Sequence, residues 1–157
     1  MKRYGILCLM FFLLTGCSFT DKTDVSMNEY QKIQEKLIQH HDLDESYPFT
    51  IQLVYNQIDE NYRYDLIIDD PQIDMYAIQA MAYCSLEIDD IQPNIGFFEE
   101  EKYHLKPNYV DKSEGYYKGI RLSGMTSQEE TVYLYISYYT DKNCQQKVEK
   151  YIEVNIN

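Results

Sequence analysis

The chain has 157 residues, of which 26 are acidic and 14 are basic, so its formal net charge at pH 7 is −12. This excess of carboxylates disfavours nucleic acid as a partner, because phosphate backbones are bound by patches of lysine and arginine. It also disfavours direct binding of the protein surface to anionic lipid headgroups. The length suits one domain with its own hydrophobic core.

The first sixteen residues have the pattern of a secretion signal. Lys2 and Arg3 precede an apolar run, residues 4–14, which is shorter than the roughly 20 residues that a membrane-spanning helix needs. The run ends in Leu14-Thr15-Gly16, which leads directly into Cys17. This stretch resembles the lipobox of bacterial lipoproteins, in which a peptidase cuts before the cysteine and the thiol carries a diacylglycerol.

The resemblance implies cleavage between Gly16 and Cys17 and a lipid on Cys17. Residues 1–16 are then a signal peptide, and the polar residues 17–25 are expected to form a flexible tether behind the lipidated cysteine. Two acyl chains suffice for stable anchoring, so the protein is expected on the extracytoplasmic face of the bacterial cell membrane. The membrane is a partner through the lipid alone.

Residues 26–41 are predicted to form an amphipathic helix. Ser26-Met27-Asn28-Glu29 has the form of a capping box, which satisfies free N–H groups at a helix start. Apolar residues then recur every three or four positions and so share one stripe: Met27, Tyr30, Ile33, Leu37 and Ile38. Turn-forming residues and Pro48 follow, so the helix should end near His41.

From Phe49 onward, apolar and polar residues alternate, as is typical of β-strands. Strands are predicted at 49–56, 62–69, 117–122, 131–139 and 147–156, with a hairpin at each end of this series. Residues 75–84 are ambiguous, because Asp70-Pro71 and three alanines favour a helix whereas the flanking segments favour a strand. We predict a strand there. Residues 85–116 are rich in turn residues and should contain one or two short strands.

These elements predict a mainly β chain, with an immunoglobulin-like antiparallel β-sandwich over residues 48–157 and one amphipathic helix before it. The resemblance concerns architecture alone, because the chain contains no tryptophan and lacks the usual cysteine and tryptophan markers. A likeness at this level carries no function by itself.

The sequence offers no catalytic motif and one group of metal-binding residue types. No pattern for nucleophilic, zinc-protease or nucleotide-binding chemistry occurs in residues 17–157, so we predict a protein that is not an enzyme and has no cofactor. The metal candidates are His40, His41, Asp42, Asp44 and Glu45. A helix C-terminus followed by an acidic turn explains them better, because adjacent helical residues point about 100° apart.

Cys84 and Cys144 are the cysteines that remain after Cys8 leaves with the signal and Cys17 is acylated. An even pair outside the cytosol permits a disulfide. Each cysteine ends or follows a strand-like run, so a bridge and two separate thiols both stay open. The 17 tyrosines suit either a sheet surface or a recognition surface, and we favour the structural role.

Together these features predict a membrane-anchored lipoprotein that acts as a non-catalytic protein-binding or assembly module. Its contact surface is expected on a tyrosine-rich face or on segment 85–116, because long loops in compact domains are often functional. The alternative is a solute- or metal-binding lipoprotein, or a secreted enzyme that uses the carboxylates of its acidic loops.

Overall fold

The computed structural model describes residues 22–39 and 42–156. The proposed signal peptide, Cys17, His40 and His41 lie outside the described residues. Within the described part, helix α1 (Lys22–Gln39) precedes nine strands. The strands are β1 (Thr50–Ile58), β2 (Asn61–Asp69), β3 (Met75–Tyr83), β4 (Asn94–Ile95), β5 (Tyr103–Leu105), β6 (Tyr116–Tyr117), β7 (Gly119–Thr126), β8 (Val132–Tyr139) and β9 (Lys147–Val154).

The strands form two sheets. The small sheet has the order β1-β2-β7, and the large sheet has the order β6-β5-β3-β8-β9, with β4 also paired to β3. Every pair is antiparallel except β5 with β6, which is parallel. The chain is therefore mainly β and sandwich-like with one helix, as the alternation of the sequence predicts.

The main core lies between the two sheets. Alternate residues of each strand face this space, and the fully buried members include Tyr64, Leu66 and Ile68 of β2 and Leu134 and Ile136 of β8. Burial of each such side chain stabilises the fold by roughly 1.5–3 kcal/mol relative to exposure. The predicted inward face of the 131–139 strand is thereby confirmed.

Helix α1 covers the opposite face of the large sheet and adds a third layer. Its residues Tyr30, Ile33 and Leu37 pack against Met81 and Tyr135 in a second core. Tyr133 and Tyr151 pack against the same core from the strands. Much of the tyrosine-rich sheet face is therefore inside the molecule, which gives these tyrosines a structural role.

The helix begins at Lys22, four residues before the start predicted at Ser26. The capping box marked a place where a helix can begin, but residues 22–25 contain no glycine or proline that would prevent one more turn. The tether predicted over residues 17–25 is shortened by the same four residues. The apolar stripe is also narrower than predicted, because Met27 and Ile38 are exposed.

Most predicted strands are confirmed, including the ambiguous one at 75–84, which is β3. Both terminal hairpins form in continuous register. Strand β7 runs on to Thr126, beyond the predicted end at Leu122, because pairing with β2 continues past the point where the alternation fades. No helix among residues 22–39 and 42–156 is long and apolar enough to cross a bilayer.

Candidate binding surface at the loop end

Three connections meet at one end of the sandwich. The register of Tyr62 with Thr126 brings the β1–β2 turn to the end of β7. The segment that follows β3 reaches the same place, since Glu87 pairs with Thr126 and the Ile88 N–H donates to the carbonyl of Met125 at 2.8 Å. We call residues 58–61, 84–92 and 127–131 the loop end.

The loop end has an unbalanced charge. It holds seven carboxylates and no lysine or arginine in its three described segments. The carboxylates are Asp59, Glu60, Glu87, Asp89, Asp90, Glu129 and Glu130. Lysines such as Lys118 and Lys142 lie at the other end of the strands, where β7 begins and β8 has ended. Concentrated negative charge attracts cationic partners and raises their rate of association.

Glu87 fastens the middle of the 84–92 segment to the small sheet. Its Oε2 accepts a hydrogen bond from the Tyr64 hydroxyl at 2.6 Å, and its Oε1 accepts one from the Met125 N–H at 2.9 Å. The Cys84 thiol donates to Oε2 at 3.5 Å. Burial raises the pKa of Glu87, and these hydrogen bonds oppose that rise.

Glu130 fastens the beginning of the same segment. Its Oε2 accepts from the Ser85 hydroxyl at 2.6 Å, and its Oε1 accepts from the Leu86 N–H at 2.7 Å. The backbone carbonyl of Glu130 accepts from the Tyr55 hydroxyl at 2.7 Å. One residue of the β7–β8 connection therefore ties segment 84–92 to β1.

Gln92 fastens the end of the segment to helix α1. Its N–H donates to the Tyr30 hydroxyl at 2.9 Å, and that hydroxyl donates to Gln92 Oε1 at 3.2 Å. The amide of Gln34 also donates to Oε1. Gln92 is buried, so these bonds replace the water that its polar atoms would otherwise bind.

Large apolar side chains stand on this fastened segment and point into solvent. Ile91 is 63% exposed and Ile88 is 49% exposed, and Leu86 and Ile58 are exposed beside them. Single exposed apolar residues are common, but several on one anchored loop are typical of a contact surface. The loop end therefore combines exposed apolar side chains with carboxylates on a segment that hydrogen bonds hold at its beginning, middle and end.

In the structure Cys84 and Cys144 are two separate free thiols. Cys84 follows the end of β3, which pairs with the start of β8, whereas Cys144 lies beyond the other end of β8. The eight residues of β8 separate them by roughly 25 Å, far beyond disulfide reach. Burial raises the pKa of the Cys84 thiol, which disfavours a nucleophilic thiolate there.

Three of the predicted metal candidates, Asp42, Asp44 and Glu45, lie within the described residues. Asp44 accepts from Lys150 Nζ at 2.7 Å and from the Tyr151 N–H at 2.9 Å, so it attaches the chain after α1 to β9. Asp42 and Glu45 are exposed. In the part of the chain that is described, no three histidine, cysteine or acidic side chains are grouped to hold a metal ion.

A cleft of about 330 Å³ lies between α1 and the segment after β4. Three of its four carboxylates have partners within the chain: Glu29 lies 3.7 Å from Lys147 Nζ, and Glu99 accepts from the Gly96 N–H at 2.9 Å. Glu101 accepts from the Tyr117 hydroxyl. These contacts make the cleft a weaker candidate for a ligand site than the loop end.

Part of the loop end was anticipated, because segment 85–116 was the expected contact region. Sequence reasoning did not single out Glu87, Gln92 or Glu130, whose partners lie 23 to 75 residues away along the chain. One signal was available in the sequence. Segment 84–92 places Asp89 and Asp90 between Ile88 and Ile91 and contains no basic residue.

Comparison with known proteins assigns no family. No family model matches the chain, and no curated protein matches it in sequence.

Proposed function

We propose that this chain is a lipoprotein held on the extracytoplasmic face of a bacterial cell membrane by a lipid on Cys17. We further propose that its folded domain is a non-catalytic module that binds a protein at the loop end. The observation that carries the binding role is the set of exposed apolar side chains, held among seven carboxylates by Glu87, Glu130 and Gln92. The lipobox-like residues 14–17 support the anchor.

The immunoglobulin-like type of sandwich belongs to the same proposal, and the strand order supports it. Such sandwiches have sheets of the order A-B-E-D and C-F-G. On this proposal β1, β2 and β7, which are neighbours in that order, correspond to A, B and E, and β3, β8 and β9 correspond to C, F and G. The described residues contain no counterpart of strand D in the small sheet, and β5 lies beside β3, where variable domains add strand C′.

The chemistry of the loop end indicates the kind of partner. Apolar side chains such as Ile88 and Ile91 can form the desolvated centre of an interface, and a ring of carboxylates can form its rim. A complementary surface has an apolar centre surrounded by lysine and arginine. Charge at the rim would favour encounter with such a protein and disfavour acidic ones.

Site-specific photo-crosslinking of the full chain in intact cells tests the binding role. A photo-reactive residue at Ile91 is expected to capture a basic extracytoplasmic protein, and the amount captured should fall severalfold when Asp89 and Asp90 are replaced by asparagine. Val110 is the matched control, because it is also an exposed β-branched residue but lies outside the loop end. Equal capture from both positions, or capture that ignores the two aspartates, counts against the proposal.

A further inference from the structure

Strand β1 has an open edge. Among the described residues it pairs with β2 alone, over the full length Thr50–Ile58. Such an edge presents free N–H and C=O groups to any other strand, and proteins commonly protect it with charged residues or proline. The nine residues of β1, TIQLVYNQI, contain neither.

The hairpin geometry determines which residues of β1 present these groups. Ile58 and Asn61 flank a two-residue turn, so they form its closing hydrogen-bonded pair. Pairing with β2 then uses the even-numbered residues of β1. The backbone groups of the odd-numbered residues point to the open side: Ile51, Leu53, Tyr55 and Gln57.

The inner face of β1 is also incompletely covered. Ile51, Leu53 and Tyr55 are only partly buried against the core, whereas Tyr64, Leu66 and Ile68 of the neighbouring strand are fully buried. Another strand beside β1 would remove more of this apolar surface from water and use the open backbone groups together.

We propose that β1 pairs in the antiparallel direction with β1 of a second copy, about a two-fold axis at Val54. In this register Leu53 lies opposite Tyr55 of the other copy on the inner face, which makes an aliphatic–aromatic cross-strand pair. On the outer face Gln52 lies opposite Asn56, so amide meets amide. Val54 meets Val54 as a non-hydrogen-bonded pair, because its own backbone groups bond to β2.

Charge favours a second copy at this edge and the antiparallel direction. The molecule is strongly acidic, so two copies repel each other least where no carboxylates face each other, and β1 carries no charge. On the neighbouring outer surface Asp65 is neutralised by Arg63 at 2.7 Å and by Arg121 at 3.9 Å. Antiparallel pairing also keeps the two loop ends roughly 30 Å apart, the length of a nine-residue strand.

The two-fold symmetry of the proposed dimer suits attachment of both copies to one membrane. The dimer proposal does not depend on the proposed anchor. The two-fold axis of an antiparallel strand pair is perpendicular to the sheet. Both α1 helices therefore lie on the same side of the continuous small sheet, and the two chain segments before them start from that side.

Cysteine crosslinking of the full chain in intact cells tests the dimer. In a Cys144→Ser background, Val54→Cys is expected to convert most of the protein to a disulfide-linked dimer under mild oxidation. Facing residues of a non-hydrogen-bonded pair have Cα atoms about 4.5 Å apart, within the range of about 4.4–6.8 Å that a disulfide spans.

Two neighbouring positions supply matched controls. Gln52→Cys alone and Asn56→Cys alone should give little dimer, because each lies opposite the other position. Coexpression of the two variants should give a mixed dimer. The absence of a Val54→Cys dimer would overturn the proposal, and so would equally strong dimers from positions 52, 54 and 56 alone. Either result leaves binding at the loop end untouched.

Discussion

Glu87 and Gly124 depend on each other at the end of the sandwich. A Cβ atom at position 124 would lie 2.6 Å from Glu87 Oε1 and 2.6 Å from the Tyr64 hydroxyl, which is too close for either contact. Glycine there makes room for a carboxylate between the sheets, where it can accept bonds from Tyr64, Cys84 and the Met125 N–H. The lack of a side chain at Gly124 thus leaves the space in which Glu87 anchors segment 84–92.

His104 makes a second unusual contact. Its Nδ1 accepts a hydrogen bond at 2.9 Å from the N–H of Ala77, which lies in a bulge of β3 with a φ of 47°. The imidazole lies beside the rings of Tyr76 and Tyr116. Burial lowers the pKa of His104, and the charges of Lys102 and Lys142 lower it further. Neutral His104 is therefore the form that supports the bulge.

We expect folding stability to fall at mildly acidic pH because of His104. Its folded-state pKa is depressed, so the unfolded chain binds the proton more readily. The contribution to stability is complete above the unfolded pKa, about 6.5, and is lost as pH falls through the folded pKa. Urea unfolding of the wild type and His104→Asn at about pH 7.5 and about pH 5.5 measures this effect.

Asparagine keeps an acceptor near Nδ1 but does not titrate, so His104→Asn should lose less stability between the two pH values than the wild type. Imidazole NMR shifts should report a pKa below the ordinary histidine value. An identical pH dependence of both proteins would rule out His104 as the source.

At the scale of elements, α1 contacts the loop end through the hydroxyl of Tyr30 and the side-chain amide of Gln34. Tyr30 is buried in the second core, and its hydroxyl both accepts from the Gln92 N–H and donates to Gln92 Oε1. The helix therefore determines where the segment that carries Ile88 and Ile91 ends. Its apolar stripe was visible in the sequence, but this contact across 62 residues was not.

Tyr30→Phe is expected to destabilise the fold by about 1–3 kcal/mol, because it leaves the N–H of the buried Gln92 without its acceptor and removes one of two donors to Gln92 Oε1. Amide hydrogen exchange should accelerate in residues 88–92 more than elsewhere. Tyr47→Phe is the control, since it removes a hydroxyl from an exposed ring. Uniform acceleration over the whole chain would show a general loss of stability in place of a local contact.

The strands and the helix differ in how well they could be predicted. A two-residue period of apolar side chains extends along whole strands, so β1, β2, β8 and β9 were identifiable from local sequence. The start of α1 depends on weak helix propensities, which do not single out one residue as the first. The predicted start therefore lay four residues C-terminal to the observed one. The end of β7 depends on pairing with β2, which local sequence does not report.

At the scale of the whole molecule, the proposed anchor controls where the acidic domain acts. Burial of acyl chains contributes roughly 0.8 kcal/mol for each CH₂ group, and two chains give stable attachment. Protein surface of this charge is repelled by anionic headgroups, so the proposed attachment would rest on the lipid alone. Loss of the Cys17 thiol, the proposed site of acylation, should therefore be sufficient to release the protein from the membrane.

Cys17→Ala is expected to abolish incorporation of an alkyne-labelled fatty acid and to shift the chain out of its normal membrane distribution. Labelling in growing cells followed by fractionation measures both results. Cys144→Ser, which also removes one thiol, should keep the label and the distribution of the wild type. A labelled or normally distributed Cys17→Ala protein would contradict the lipobox interpretation.

The sequence by itself determined the mainly β class, the hairpins and the preceding helix, because these follow from local periodicity of apolar residues. It also determined the acidity, which disfavours nucleic-acid partners. Only the tertiary structure decided that Cys84 and Cys144 lie at opposite ends of β8, that α1 covers the tyrosines, and that three acidic connections meet at one end. Those features depend on strand order and pairing, which join residues far apart in the chain and leave no local pattern.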